Sequence, residues 1–434
     1  MIPTYGLRPR PGGRRCAATR GACRGRPAGG GIGSEAARRS VSGWGVTKVS
    51  DAATQSTARV LIAADKFKGS LTAVEVAAHV ETGLRRVVRG LSIESVPVAD
   101  GGDGTVDAAV AAGFERRTLR VTGPLGEPVE AAYALRGGTA VVEMAEASGL
   151  RHLPPGVFAP LAATTYGTGE LLRAALDAGA GTIVLGVGGS ATNDGGAGML
   201  SALGARLLDA DGAPVAPGGG PLATLATVDL TDLDPRLATA QIVLASDVDN
   251  PLLGPTGAAG VYGPQKGASP EDVAVLDAAL GRYAEVLAAA GLSAGAAARA
   301  PGAGAAGGIG FAAIVALGAV FRPGIEVLLE VLGFEDALGR ADLVITGEGS
   351  LDEQTLSGKA PLGVAQAARA RGLEVVAVCG RLSLPPADLG AAGIRRAYAL
   401  TAIEPDPERC MAEAGPLLEQ VAAALAHDFL LQAP

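Results

Sequence analysis

The chain has 434 residues, 48% of them apolar and 3% aromatic, with a net charge of −8. That length exceeds one average hydrophobic core and predicts two domains, while the acidic balance argues against nucleic acid as a partner, because phosphate backbones call for basic surface. Four cysteines without metal or framework spacing, and only three histidines, argue against a Cys- or His-based metal centre and fit a reducing cytoplasm.

Residues 1–57 hold ten Lys or Arg against two acids, Glu35 and Asp51, with no apolar periodicity and no continuous apolar run. This composition predicts a disordered, solvated extension rather than a secretion signal, and an activity that survives its removal. The first strand is RVLIAA, Arg59 to Ala64. After the loop DKFKGS, Thr72 and Glu75 form a capping box, and Ala73, Ala77, Val80, Leu84 and Val87 recur at helical spacing. A strand from Ser92 to Val98 completes a βαβ unit with parallel pairing and a right-handed crossover.

Strand-like runs then follow at Ala140 to Ala145, Thr182 to Val187, Gln241 to Ser246, Asp342 to Gly347 and Glu374 to Cys379, with helical stretches between most of them. Ser269-Pro270 starts a helix running to about Ala290, and Leu417 to Leu431 reads as a closing amphipathic helix. The uncharged stretch Ala300 to Phe321 is long enough to span a bilayer, but its six glycines and Pro301 predict a glycine loop leading into a buried helix. The Ala-rich segment 291–306 reads as a hinge. The pattern predicts an α/β protein whose first domain is split, residues 58–97 and 293–434, with residues 98–292 inserted as a second α/β domain.

Five loops follow strands, where open α/β sheets place their ligands. Asp65 to Ser70 sets Lys66, Lys68 and a hydroxyl before a helix N-terminus, an anion site in outline. Asp100-Gly-Gly-Asp103-Gly-Thr places two carboxylates among glycines, suited to Mg²⁺ or to substrate hydroxyls; the further acidic ladder of a calcium loop is missing. Gly188 to Gly198 gathers Gly188, Gly189, Ser190, Thr192, Asn193 and Asp194 in one glycine-rich turn, the mix of amides, hydroxyls and carboxylate that phosphoryl transfer uses. The fourth loop carries Asp247 and Asp249, then Lys266; the fifth carries Gly347, Glu348 and Asp352, then Lys359. No G-x-x-x-x-G-K-[ST] loop and no H-R-D or D-F-G set occurs, and Gly302-x-Gly304-x-x-Gly307 lacks the preceding strand of a dinucleotide fingerprint.

Taken in order, ADKFKGSLTA, VADGGDGT, GVGGSATNDGGAGM, SDVDNPLLGP with GPQKGA, and GEGSLDEQTLSGK resemble the bacterial glycerate kinases of the first type, from about residue 59 to the end. Ala64 stands where that family usually has Pro. The resemblance implies a Rossmann-like parallel-sheet domain with a second α/β domain inserted and the active site in the cleft between them. It also implies Mg²⁺-ATP and D-glycerate as substrates, with 2-phosphoglycerate the associated product, and neither a membrane nor a nucleic-acid partner. Lys66 and Lys68 are assigned to the substrate carboxylate or the moving phosphate. Asp194, alone inside the hydroxyl-rich glycine loop, is the first choice as base, with Asp100 and Asp103 as competitors. Gly188, Gly189, Ser190, Thr192, Asn193, Lys266, Gly347 and Lys359 are the candidate nucleotide contacts. Asp247, Asp249, Glu348 and Asp352 are candidate Mg²⁺ ligands or supports for them. A sugar-acid sensor without catalysis, or a nicotinamide enzyme using Gly302 to Gly307, are the rival readings.

Overall fold

A computed structural model describes residues 54–431 except 56. Thr54–Gln55 pairs in parallel with Val88–Arg89, so pairing begins slightly before the boundary expected at residue 57; the rest of that extension lies outside the described residues. No helix among the described residues is long and apolar enough to cross a membrane.

Two sheets carry the fold. The first has five parallel strands in the order Arg396–Ala399, Glu374–Leu382, Leu343–Leu351, Arg59–Ala64 and Ser92–Ser95. It is a doubly wound, Rossmann-like sheet whose winding reverses between Arg59–Ala64 and Leu343–Leu351, the position where such sheets bind ligands. The second has six strands in the order Val320–Arg322, Gln241–Ala245, Thr182–Gly186, Thr139–Glu143, Pro128–Arg136 and Glu115–Thr122. Its first four are parallel, and the last two add an antiparallel meander that the sequence reading missed.

Strand side chains alternate between faces, and that period assembles the layers. Val60, Ile62 and Ala64 point into a core closed by helices Ala73–Val87 and Ala414–Phe429, while Leu61 and Ala63 point the other way. That second core also receives Ala132, Ala134, Val141, Val184 and Ala245 from the six-stranded sheet, with helices Thr105–Ala111, Gly324–Val331 and Ala360–Ala370 between the sheets. The opposite residues, such as Tyr133, Val142, Ile183 and Leu185, face a third core built with Tyr166–Asp177, Pro270–Ala289 and Ala305–Leu317.

Two expectations change. The segment 291–306 is not a hinge: Ala294, Ala297, Ala303 and Ala305 are buried in the core of the six-stranded sheet, and Val320–Arg322 beyond them pairs with Gln241–Ala245. The chain therefore returns to the five-stranded sheet only after Arg322, later than the expected 293. The cause is the short strand Val320–Arg322, which sequence alone hid inside a long uncharged run.

The loops after Ser92–Ser95 and Thr182–Gly186 meet backbone to backbone. The Gly188 amide donates to the Gly101 carbonyl at 3.0 Å, and a Cβ on Gly188 would overlap the Cα of Gly102. Gly188→Ala is therefore expected to lower stability by about 1–3 kcal/mol, whereas Gly295→Ala, where a Cβ meets nothing within 4 Å, stays within about 0.5 kcal/mol; urea denaturation of both variants checks the contrast.

Candidate active site

The carboxyl ends of both parallel sheets open onto two adjoining cavities. The larger, about 600 Å³, is lined by the loop Asp65–Ser70, by Glu348 to Ser350 and Lys359, by Gly380 and Arg381, and by residues 400–414 in part. The smaller, about 270 Å³, is lined by Ser190, Ser246, Asp247, Tyr262, Gln265 and Lys266 among others. Lys68, Asp100, Gly102, Gly188 and Gly189 line both, so the two spaces share one wall. That wall is the tight contact of two glycine loops, which brings backbone where side chains would fill the gap.

Four of the helices that start at this rim have amides in or just before the first turn already taken by the protein's own carboxylates. Thr72 and Glu75 close the start of Ala73–Val87 in the expected capping box, with Thr72 N donating to Glu75 at 2.8 Å. Glu143 accepts from the amides of Gly104 and Val106 at 3.1 and 3.2 Å, ahead of and within the first turn of Thr105–Ala111. Asp194 accepts from Gly196 and Gly198 at the start of Ala197–Ala202, and Asp247 from Gly324 at 2.7 Å at the start of Gly324–Val331. Each carboxylate sits at the positive end of a helix dipole, Glu75 at the surface and the other three within the protein. Beside them, Lys66, Lys68, Lys359 and Arg381 line the larger cavity and Lys68 and Lys266 the smaller.

Those cations sit among acids. Asp65 is buried and its carboxyl is pushed up to about 7, first by burial and further by Asp100 and Glu348, although Lys66 opposes the rise at 3.5 Å. Lys66 is driven up: burial disfavours its charge, but Asp65, Asp100, Asp103 and Glu143 together outweigh it. Glu348 is raised by burial against the pull of Thr355, which donates at 2.6 Å, and of Lys359 at 3.6 Å. In the smaller cavity, Lys266 is 2% exposed, and burial lowers its ammonium to about 7 while it donates to the Thr192 carbonyl at 2.6 Å. Asp247 rises to about 7 through burial and the nearby Asp100 charge; its Oδ1 takes the Gly324 amide, and its buried Oδ2 has no protein partner.

Of the residues expected from sequence, Lys66, Lys68, Asp100, Asp103, Gly188, Gly189, Ser190, Lys266, Asp247, Glu348 and Lys359 line one or both cavities. Asp194 does not. It is 1% exposed and both oxygens are occupied, Oδ2 by the Thr165 amide and hydroxyl at 2.8 and 2.9 Å and by Gly198, Oδ1 by Gly196. It clamps the glycine loop and cannot take a substrate proton. Thr192 and Asn193 are fully buried beneath the same loop, and Gly347 is a strand residue packed against Val378, so none of the three lines either space. The expected metal set is not assembled: Asp249 is exposed in a separate cavity and Asp352 caps the turn Glu353–Ser357 through Gln354. Among the described residues no three His, Cys, Asp or Glu side chains are grouped to hold a metal by themselves. Sequence reasoning quoted Asp65 but gave it no role, and missed Glu143 and Arg381; Glu143 ends an apolar strand, which was the available signal.

Asp194→Ala would leave several buried donors unpaired, so it is expected to lower stability by at least about 2 kcal/mol, read by thermal or urea denaturation, instead of merely slowing a well-folded enzyme.

A sequence profile of the glycerate kinase family matches residues 60–430. The glycerate kinase of Halalkalibacterium halodurans is 46% identical over 371 residues, 85% of this chain and 97% of its own length. The glycerate 2-kinase of Escherichia coli K12 is 48% identical over 329 residues, 75% of this chain and 86% of its own. The crystal structure of a Salmonella typhimurium LT2 protein described as a glycerate kinase 2 superposes with a TM-score of 0.73 at 44% identity, covering 87% of this chain and all of that one. With the profile spanning nearly all the described residues and relatives at 46–48% identity over most of their length, the chain belongs to the glycerate kinase family.

Proposed function

We propose that this protein transfers the γ-phosphoryl group of ATP to the C2 hydroxyl of D-glycerate, giving 2-phosphoglycerate and ADP. The observation that carries this reading is the pair of cavities meeting at Lys68, Asp100, Gly102, Gly188 and Gly189. Phosphoryl transfer needs two substrates in line, positive charge on the moving group and a carboxylate for the hydroxyl proton; it needs no covalent intermediate.

The smaller cavity suits a three-carbon acid. Lys266 and Lys68 offer ammonium groups to its carboxylate, and the Tyr262 hydroxyl, which donates to Asn250 Oδ1, is left to accept from a substrate hydroxyl. Asp247 faces the same space with one oxygen anchored and one unpartnered, so it is placed to accept the proton as the hydroxyl oxygen bonds to phosphorus and the bond to ADP breaks. Asp247 thus replaces Asp194 as the base. Lys68 lies on the shared wall, where a Lys can follow the phosphoryl charge as it moves.

Mg²⁺ fits the residues present. The carboxyls of Asp65 and Asp100 offer hard oxygens beside a cavity that repels its own acids, and Mg²⁺ bound with a nucleotide needs only one or two protein carboxylates. It would supply charge neutralisation on the phosphates. The lobe of the five-stranded sheet and an inserted lobe extending to Arg322 form the two sides of the site. A cytoplasmic setting, with ATP at hand, agrees with the free thiols Cys379 and Cys410.

Asp247→Asn is expected to lower kcat for D-glycerate by about 100-fold or more in an ADP-release assay, with the protein still folded. Protonated Asp247 cannot act as base, so wild-type kcat should fall as pH drops through about 7, and the variant should lose that dependence. Near-normal turnover by the variant would overturn the assignment.

A further inference from the structure

We infer that the adenine of ATP is seated on the apolar wall of the larger cavity formed by Leu400, Pro407, Cys410 and Met411, with Thr401 at its edge. This rests on the kinase reading above and adds where the nucleotide lies. A nucleoside triphosphate needs a polyanion end and a flat apolar end within reach of each other, and the larger cavity has both. Lys66, Lys68, Lys359 and Arg381 line it. Arg381 spends its Nε on Ser383 at 3.1 Å, which leaves its terminal nitrogens for phosphate oxygens. The apolar wall lines the same cavity, with the Met411 methyl beside Gly69 of the Asp65–Ser70 loop.

That wall has an unusual component. Leu400 and Cys410 are buried, but Met411 is 51% exposed, a large thioether presented to solvent at the rim. A Met in this position has the adaptable, polarisable surface that packs against an aromatic ring. The helices Ala360–Ala370 and Ala414–Phe429, which start at Lys359 and Ala414 on this cavity, both lack a side-chain cap.

The alternative seat is a third cavity of about 820 Å³, also touching Asp247. Its lining includes Asp247, Asp249, Glu326, Glu330, Glu335 and Asp336, and contains no Lys or Arg. A space ringed by six carboxylates repels a triphosphate. The smaller cavity cannot hold adenosine and glycerate together.

Two variants of equal charge separate the possibilities. Met411→Glu should raise the KM for ATP at least tenfold and weaken fluorescent-nucleotide binding in parallel. Gln366→Glu, in the third cavity, should change neither value by more than about twofold. An unmoved ATP KM in Met411→Glu, or a tenfold rise in Gln366→Glu, would overturn the placement. Wild-type protein that turns over no ATP with glycerate would instead defeat the kinase reading itself.

Discussion

The site depends on one constraint: four of the helix N-termini at the strand ends are already occupied by the protein's own carboxylates. Glu75, Glu143, Asp194 and Asp247 each accept backbone amides from a first helical turn or the residue just before it. In many α/β proteins those amides and the helix dipole bind phosphate directly. Here they organise loops instead, and in the proposed reaction the anions are met by Lys66, Lys68, Lys266, Lys359 and Arg381. This division explains why the phosphate-binding sequence motifs of common nucleotide enzymes are absent although the fold is doubly wound.

The same constraint sets the electrostatics. Internal carboxylates next to a desolvated cavity raise one another's proton affinity, and Asp65, Glu143 and Asp247 all move to about 7. Burial is the first cause in each, and neighbouring acids add to it. Lys266 moves the opposite way for the same reason. The cavities are thus loaded with groups whose charge is held at a cost until an oppositely charged ligand arrives, which favours binding a polyanion and its metal together.

Much of this was legible in the sequence. Apolar runs and the Thr72–Glu75 box marked four strands of the five-stranded sheet and its first helix, though not Arg396–Ala399, and clustered glycines marked the loops that must approach each other. Loop order pointed to the family. Other features were not legible because they depend on tertiary pairing. Glu115–Thr122 is mostly exposed and Pro128–Arg136 buries both faces at Ala131 to Ala134, so neither shows a strand's alternation, and Val320–Arg322 is too short to signal. Asp194 and Asp247 look alike in sequence, each an acid in a loop after a strong strand. Only the fold shows that the first has every oxygen occupied and the second has one left over.

The central claim is that both substrates lie side by side and the phosphoryl group passes directly between them across the wall shared by the two cavities. The stereochemical course at phosphorus tests this most directly, using ATP made chiral by oxygen isotopes at the γ position and D-glycerate as acceptor. A single in-line transfer predicts inversion of configuration in the phosphoglycerate formed. Retention would require a phosphorylated enzyme intermediate and would contradict the account.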